Sequence, residues 1–191
     1  MKKVTIEVSA RHCHISKKDL VLLFGKNYRL KPLKPLSQKG QFSCRETVRV
    51  KTGSGQLKNI RILGPERENT QVELSRTDCR ELNIFPPITE CTDPHNKKSC
   101  SILEIIGPKG KIKRCAAIIA KRHLHCDVKT AKMLKLQNKQ LISLRIDSDR
   151  PLTFHEVLVR VRRDFVFRIH LDTDEANAAG VKSGDTGRLL I

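Results

Sequence analysis

Two His-x-His pairs are the residues of this sequence best suited to chemistry. The first is His12 with His14, and the second is His123 with His125. In an extended strand alternate side chains leave the same face, so both imidazoles of a pair can reach one ion, whereas on a helix they would diverge. Each pair also ends two residues before a residue typical of a helix N-cap. The spacing therefore predicts strands that end in metal-binding residues.

A third candidate ligand follows each pair later in the chain. Glu73 stands two residues before the predicted N-cap Ser75, and His170 stands two residues before the predicted N-cap Asp172. The pattern of ligand, one residue and N-cap thus begins at the second histidine of each pair and again at each third ligand. The chain is therefore interpreted as two diverged copies of one unit, each with a pair early and a third ligand late.

The two sets of ligands indicate the kind of metal site. One copy offers His12, His14 and Glu73, and the other offers His123, His125 and His170. Three nitrogen or oxygen ligands leave a coordination position open, which is typical of a catalytic metal rather than a structural one. Imidazole with at most one carboxylate favours zinc, with cobalt, nickel or iron as competitors. The remaining histidines, His95 and His155, are expected on the surface.

Composition limits the class of protein. The 191 residues suffice for one large domain or two small ones, and seven cysteines without C-x-x-C spacing favour free thiols in a reducing compartment. No apolar stretch has transmembrane length, and the start of the chain lacks the apolar block of a signal peptide. The expectation is a free cytoplasmic protein that does not bind a membrane.

The charge of +18 favours polyanionic partners, of which nucleic acid is the commonest. The basic residues are spread along the chain, however, and aromatic residues, which stack on single-stranded bases, make up only 4%. A basic surface serves a phosphate-rich small molecule equally well. No nucleic-acid partner is expected.

The predicted elements are short strands joined by glycine-containing turns, with single short helices beside them. This pattern favours a mainly β fold of two tandem small β-barrel domains capped by short α-helices. One strand is predicted from Lys3 to His14, and another from Lys111 on to His123 and His125. The predicted domains are 1–90 for the first barrel, 91–100 for a connector and 101–191 for the second barrel, a layout that leaves room for strand exchange between the halves.

Several segments together resemble the phosphate propanoyltransferase family, the phosphotransacylases of the propanediol-utilisation type. The segments span almost the whole chain in the family's order: Ser9 to Ser16, Leu36 to Phe42, Leu63 to Asp78, Ile118 to His125 and His170 to Gly180. The resemblance implies two β-barrel domains, a homodimer and two metal ions, zinc by expectation. It also implies the reversible conversion of acyl-CoA and phosphate into acyl phosphate and coenzyme A.

The resemblance also implies roles for particular residues. By position, one metal would lie on His12, His14 and Glu73 and the other on His123, His125 and His170, which is the partition that the internal repeat suggests. Arg67 would hold phosphate, and a guanidinium fork suits two phosphate oxygens in a way that a lysine does not. Residues that contact coenzyme A are not assigned.

The expected mechanism is direct attack of phosphate on the thioester carbonyl of propanoyl-CoA or acetyl-CoA. An acyl-enzyme on Cys13 or Cys126 is the weaker route, because no partnered general base is evident. The alternative activity is a metal-dependent thioester hydrolase, which would use the same histidines and release a free acid.

The chain departs from the family pattern in two places. Members in bacterial microcompartments are expected to carry an N-terminal extension before the first strand, and this sequence starts at that strand, so a free cytosolic enzyme is expected. Pro151 stands where the family pattern predicts glycine, and its fixed φ could reshape a nearby loop.

Overall fold

A computed structural model describes residues 2–91 and 99–191. The strands, in chain order, are β1 (Lys2–Ser9), β2 (His12–Ser16), β3 (Pro32–Pro35), β4 (Phe42–Lys51), β5 (Gln56–Arg67), β6 (Gln71–Glu73), β7 (Ile88–Thr89), β8 (Ser101–Ile106), β9 (Lys111–Ala120), β10 (His123–Cys126), β11 (Leu141–Ile146), β12 (Leu152–Val161), β13 (Arg168–Asp172) and β14 (Thr186–Leu190). The helices are α1 (Lys17–Phe24), α2 (Arg76–Leu82), α3 (Val128–Leu134) and α4 (Thr173–Ala178). The predicted mainly β class with short helices is confirmed. His95 and most of the expected connector 91–100 lie outside the described residues.

The chain divides into two compact units that differ from the predicted domains. Met1–Ala10 and Lys121–Ile191 form one unit, which we call the terminal unit, and Arg11–Ala120 forms the other, which we call the central unit. The predicted domains were 1–90 and 101–191. The difference arises because the predicted strand from Lys3 to His14 is two strands, β1 and β2, that belong to different units.

The terminal unit is a closed barrel with strand order β1-β13-β10-β12-β11-β14. Going around from β1, the pairings are parallel, antiparallel and parallel, followed by three antiparallel pairings that return to β1. Apolar residues such as Ile6, Leu124, Leu144 and Ile169 fill its core.

The central unit contains a second closed ring of six strands, β9-β6-β2-β5-β4-β8, because β8 pairs with both β4 and β9. Its pairings follow the same sequence of parallel and antiparallel contacts. β3 pairs with the first residues of β4, and β7 pairs with the last residues of β9. The two predicted barrels are confirmed.

The two rings can be matched strand by strand. β1 occupies in the terminal barrel the position that β9 occupies in the central barrel, since each lies between a parallel and an antiparallel neighbour in the same order. Yet β1 directly precedes β2 of the central unit, and β9 directly precedes β10 of the terminal unit. Each barrel is therefore completed by a strand whose chain continuation lies in the other.

The helices begin where the sequence predicts. Ser16, Ser75, Asp127 and Asp172 are the N-caps of α1, α2, α3 and α4, and each side chain accepts a backbone hydrogen bond from the third residue after it. These bonds satisfy amide groups that a helix N-terminus leaves without intrahelical partners. Among the described residues, no helix has the length and apolar character needed to cross a membrane.

One expectation about the cysteines is wrong. Cys100 and Cys115 form a disulfide in the central unit, with their Cα atoms 5.4 Å apart. The antiparallel pairing of β8 with β9 places Ile102 opposite Cys115 and so brings Cys100 close to it. The other five cysteines are free. Sequence spacing missed the bond because the contact depends on the register of the hairpin.

Candidate metal centres

The central cluster, which we define as His12, His14 and Glu73, lies where β2 meets β6. The two histidines are two residues apart on β2, and the antiparallel pairing with β6 sets Glu73 directly opposite His12. The Glu73 carboxylate oxygens lie 3.5 Å from Nε2 of His12 and 3.7 Å from Nε2 of His14. One ligand atom from each of the three residues lies within 4.8 Å of the others, which is close enough for one ion.

The surroundings of the central cluster favour a neutral imidazole and an oriented carboxylate, both of which suit cation binding. Burial, the charge of His12 and then the charge of Arg67 hold the pKa of His14 well below its usual range, so its imidazole is neutral and able to ligate a metal. The side-chain amide of Gln71 donates a hydrogen bond of 2.7 Å to Oε1 of Glu73. Gln71 was not singled out in the sequence, although it lies two residues before Glu73 on the same face of β6.

Arg67 lies beside the central cluster. It is exposed at the end of β5, opposite Ser16 in the parallel pairing with β2. Its positive charge contributes to the lowered pKa of His14. A guanidinium in this position can receive an anion from solvent next to the three ligands.

The terminal cluster, which we define as His123, His125 and His170, is formed by the same arrangement of strands in the terminal barrel. β10 carries His123 and His125, and the antiparallel pairing with β13 sets His170 directly opposite His123. The ring centroids are 4.5 to 4.9 Å apart, and one nitrogen of each ring lies within 4.8 Å of the others. The two clusters thus occupy equivalent positions in the two barrels.

Local contacts orient the imidazoles of the terminal cluster. Nδ1 of His123 lies 2.8 Å from the carbonyl oxygen of Lys121, which favours the tautomer with Nε2 free for a metal. The ring of Phe165 stacks on the imidazole of His125, with the two ring centroids 3.9 Å apart. Burial, followed by the charges of His170 and His123, lowers the pKa of His125 far below its usual range, which keeps the ring neutral.

Three other residues of the sequence prediction are also placed. His155 is exposed, as expected, and its Nδ1 lies 2.9 Å from Oγ of Ser143. Cys13 points away from its neighbouring histidines into the apolar core of the central barrel, and Cys126 packs into the core of the terminal barrel. Burial raises the pKa of the Cys13 thiol to about 12 and that of Cys126 to about 11, so neither is ionised at neutral pH.

Comparison with known proteins identifies the family. Residues 5–182 match the sequence profile of phosphate propanoyltransferase. The chain is 44% identical to the phosphate propanoyltransferase of Thermotoga maritima over 95% of its own length and 86% of that protein. It is 42% identical to those of Leptotrichia buccalis and Priestia megaterium, over 96% and 98% of its length and 86% of each relative. The chain therefore belongs to the phosphate propanoyltransferase family, a family of acyltransferase enzymes.

Proposed function

We propose that this phosphate acyltransferase interconverts a short-chain acyl-CoA, propanoyl-CoA or acetyl-CoA, and phosphate with acyl phosphate and coenzyme A, and that each cluster holds one metal ion. The observation that carries the proposal is the equivalent placement of two groups of ligands, each with its ligand atoms within 4.8 Å. Imidazoles and one carboxylate suit zinc best.

The donor atoms fit a metal. Nδ1 of His125 is buried and makes no hydrogen bond within the described parts of the chain, and a buried nitrogen left in this state is costly unless it binds something. His14 and His125 are both neutral at physiological pH, which is the form that ligates. A bound zinc would supply Lewis acidity toward the thioester carbonyl, a template for phosphate, or stabilisation of the departing thiolate.

Arg67 supplies the phosphate site in this proposal. Its guanidinium can form two parallel hydrogen bonds to phosphate oxygens, which orients the two remaining oxygens so that one of them faces the acyl carbon. That oxygen forms the new bond to the acyl carbon, the carbon–sulfur bond breaks, and the electron pair leaves with the thiolate of coenzyme A. Phosphate is already anionic at neutral pH, so the attack needs no protein base.

A cysteine acyl-enzyme is disfavoured by the positions of Cys13 and Cys126. Both thiols pack in apolar cores rather than beside the histidines of the clusters. Their raised pKa values keep them protonated, and the thiolate is the nucleophilic form. Direct transfer to phosphate is therefore the mechanism we propose.

We also propose a homodimer that works in the cytoplasm. The homodimer rests on the family resemblance, and the cytoplasm rests on the five free cysteines, although the Cys100–Cys115 bond is unusual for a reducing compartment. Size-exclusion chromatography with light scattering tests the dimer, and fractionation of the native cell tests the location.

The deciding experiment follows thiol release from propanoyl-CoA and acetyl-CoA with and without phosphate, together with trapping of the product by hydroxylamine. The transferase predicts phosphate-dependent release, a hydroxamate product and loss of activity on chelation. Arg67→Ala should raise KM for phosphate at least tenfold, while Arg49→Ala, which removes an exposed charge of the same barrel, should not. Thiol release that ignores phosphate and yields free acid would instead identify a thioester hydrolase.

A further inference from the structure

A carboxylate that the sequence analysis did not consider lies beside the terminal cluster. β1 runs parallel to β13 with Glu7 paired to His170, and β13 runs antiparallel to β10 with His170 paired to His123. Residues paired across neighbouring strands point to the same face of a sheet. Glu7, His170 and His123 therefore form one row across three strands, and Oε2 of Glu7 lies 3.9 Å from Nε2 of His170.

The equivalent row in the central barrel differs at this position. There, β9, β6 and β2 contribute Ile118, Glu73 and His12, in the same order and with the same strand directions. Ile118 is fully buried and apolar. Each row thus contains one carboxylate, but the central row places it on the second strand and the terminal row on the first.

The distances are compatible with a shared ion. In the central cluster the carboxylate lies 3.5 and 3.7 Å from the two imidazole nitrogens, close to the 3.9 Å between Glu7 and His170. Two ligand atoms on one tetrahedral zinc lie about 3.4 Å apart, given bonds of about 2.0–2.2 Å. The three imidazoles have ligand atoms within 4.8 Å of one another, and Glu7 stands outside that group, next to His170. A glutamate side chain has several rotatable bonds, so a bound ion could draw its carboxylate toward the imidazoles.

The local charge gives a reason for the carboxylate. Three neutral imidazoles leave the full charge of a divalent ion uncompensated, and the charges of Arg160 and Arg162 also act on His125. Glu73 compensates one charge in the central cluster. Without Glu7, the terminal cluster would combine a dication with nearby arginines and no anion in its row.

We propose that Glu7 is the fourth protein ligand of the terminal metal centre, which then has three histidines and one carboxylate. This inference rests on the proposed metal centres, not on the identity of the acyl substrate. A centre with four protein ligands is closed and serves structure, whereas three ligands leave a position for substrate. The central cluster beside Arg67 is then the centre that keeps an open position.

The test isolates the terminal centre in the full-length chain. His12→Ala with His14→Ala removes two central ligands, and circular dichroism checks that this parent is folded. Its affinity for Co²⁺ and Zn²⁺ is measured by competition with a chromophoric chelator, and the visible spectrum of bound Co²⁺ reports the ligand set. Glu7→Gln should weaken binding at least about tenfold and change the Co²⁺ spectrum.

Two further variants complete the design. Glu7→Ile copies the residue that the central barrel carries at the same position and should weaken binding as much as Glu7→Gln. Asp147→Asn removes one negative charge elsewhere in the terminal unit, where Asp147 bridges Arg145 and Arg188, and should leave both affinity and spectrum unchanged. In a chain with both clusters intact, Glu7→Gln should lower the zinc retained after dialysis from two ions toward one.

The outcomes distinguish the role of Glu7 from the existence of the metal centres. A parent that binds metal, with unchanged affinity and spectrum in Glu7→Gln, would overturn the role of Glu7 alone. An equal loss of affinity in Asp147→Asn would also overturn it, because the effect would then be one of net charge. A folded parent that binds no metal, from a wild-type chain that also binds none, would overturn the metal centres together with this inference.

Discussion

The guanidinium of Arg11 donates a 2.7 Å hydrogen bond to Oδ1 of Asp78, and the pairing recurs in the other barrel between Arg122 and Glu175 at 2.6 Å. Each arginine directly precedes a His-x-His pair. Each acid is the third residue of the helix that follows the third ligand, and its carboxylate also accepts from the backbone of the N-cap. The arginine therefore ties the strand that carries the pair to the helix that begins after the third ligand.

Replacement of Arg11 by alanine tests this tie. Asp78 is 7% exposed while Arg11 is 44% exposed, so solvent screens one partner, and we expect a loss of stability of only about 1 kcal/mol. We expect metal affinity at the central cluster to fall about tenfold, because His12 is then held less firmly relative to Glu73. Urea denaturation and chelator competition measure the two effects.

The matched control for Arg11→Ala is Arg76→Ala, which removes an exposed arginine at the start of α2. It should change neither stability nor metal affinity. Equal metal affinity in Arg11→Ala and wild type would mean that the pair stabilises the fold without positioning the ligands.

Gln71 is expected to position the Glu73 carboxylate. Its amide donates to Oε1 of Glu73 over 2.7 Å, and a buried leucine of similar size cannot replace this bond. Gln71→Leu should therefore weaken metal binding at the central cluster about tenfold, within the range for residues that orient ligands. The measurement uses a chain whose terminal cluster is removed by His123→Ala with His125→Ala. Gln56→Leu, at the exposed start of β5, is the control, and a similar loss there would refute the positioning role.

Loss of the two buried thiols near the clusters should leave catalysis intact. Cys13→Ala with Cys126→Ala removes sulfurs packed in the two cores, so we expect about 1–2 kcal/mol of lost stability from each small cavity. Activity should stay within about threefold of wild type, since a shift of that size is below 1 kcal/mol in the barrier. Complete loss of activity in a folded double variant, or an acyl group found on either thiol by mass spectrometry, would reverse our mechanism.

The disulfide changes the number of cysteines that an alkylating reagent can label. Alkylation of the denatured chain without reductant should label five cysteines, and alkylation after reduction should label seven. The bond closes a loop of 15 residues, for which the loss of unfolded-state entropy is worth about 3 kcal/mol of stability. Intact-mass spectrometry gives the count. Seven labels on protein purified without reductant would show that the thiols are free in solution.

The sequence by itself determined the local features and the ligand sets. Two His-x-His pairs, four N-caps and the alternating pattern of short strands depend only on neighbouring residues, and the structure places all four caps and a mainly β fold where these patterns predict. The internal repeat grouped His12 and His14 with Glu73, and His123 and His125 with His170. The structure brings each of these groups together.

Only the tertiary structure decided which strands complete each barrel. The break between β1 and β2 at Ala10 and Arg11 carries no glycine or proline, so nothing local reveals that the chain passes from one unit to the other there. The partners of Gln71, Glu7 and Cys100 depend in the same way on strand register. Register is a relation between distant segments, and it is set by the burial of whole strand faces rather than by any single residue.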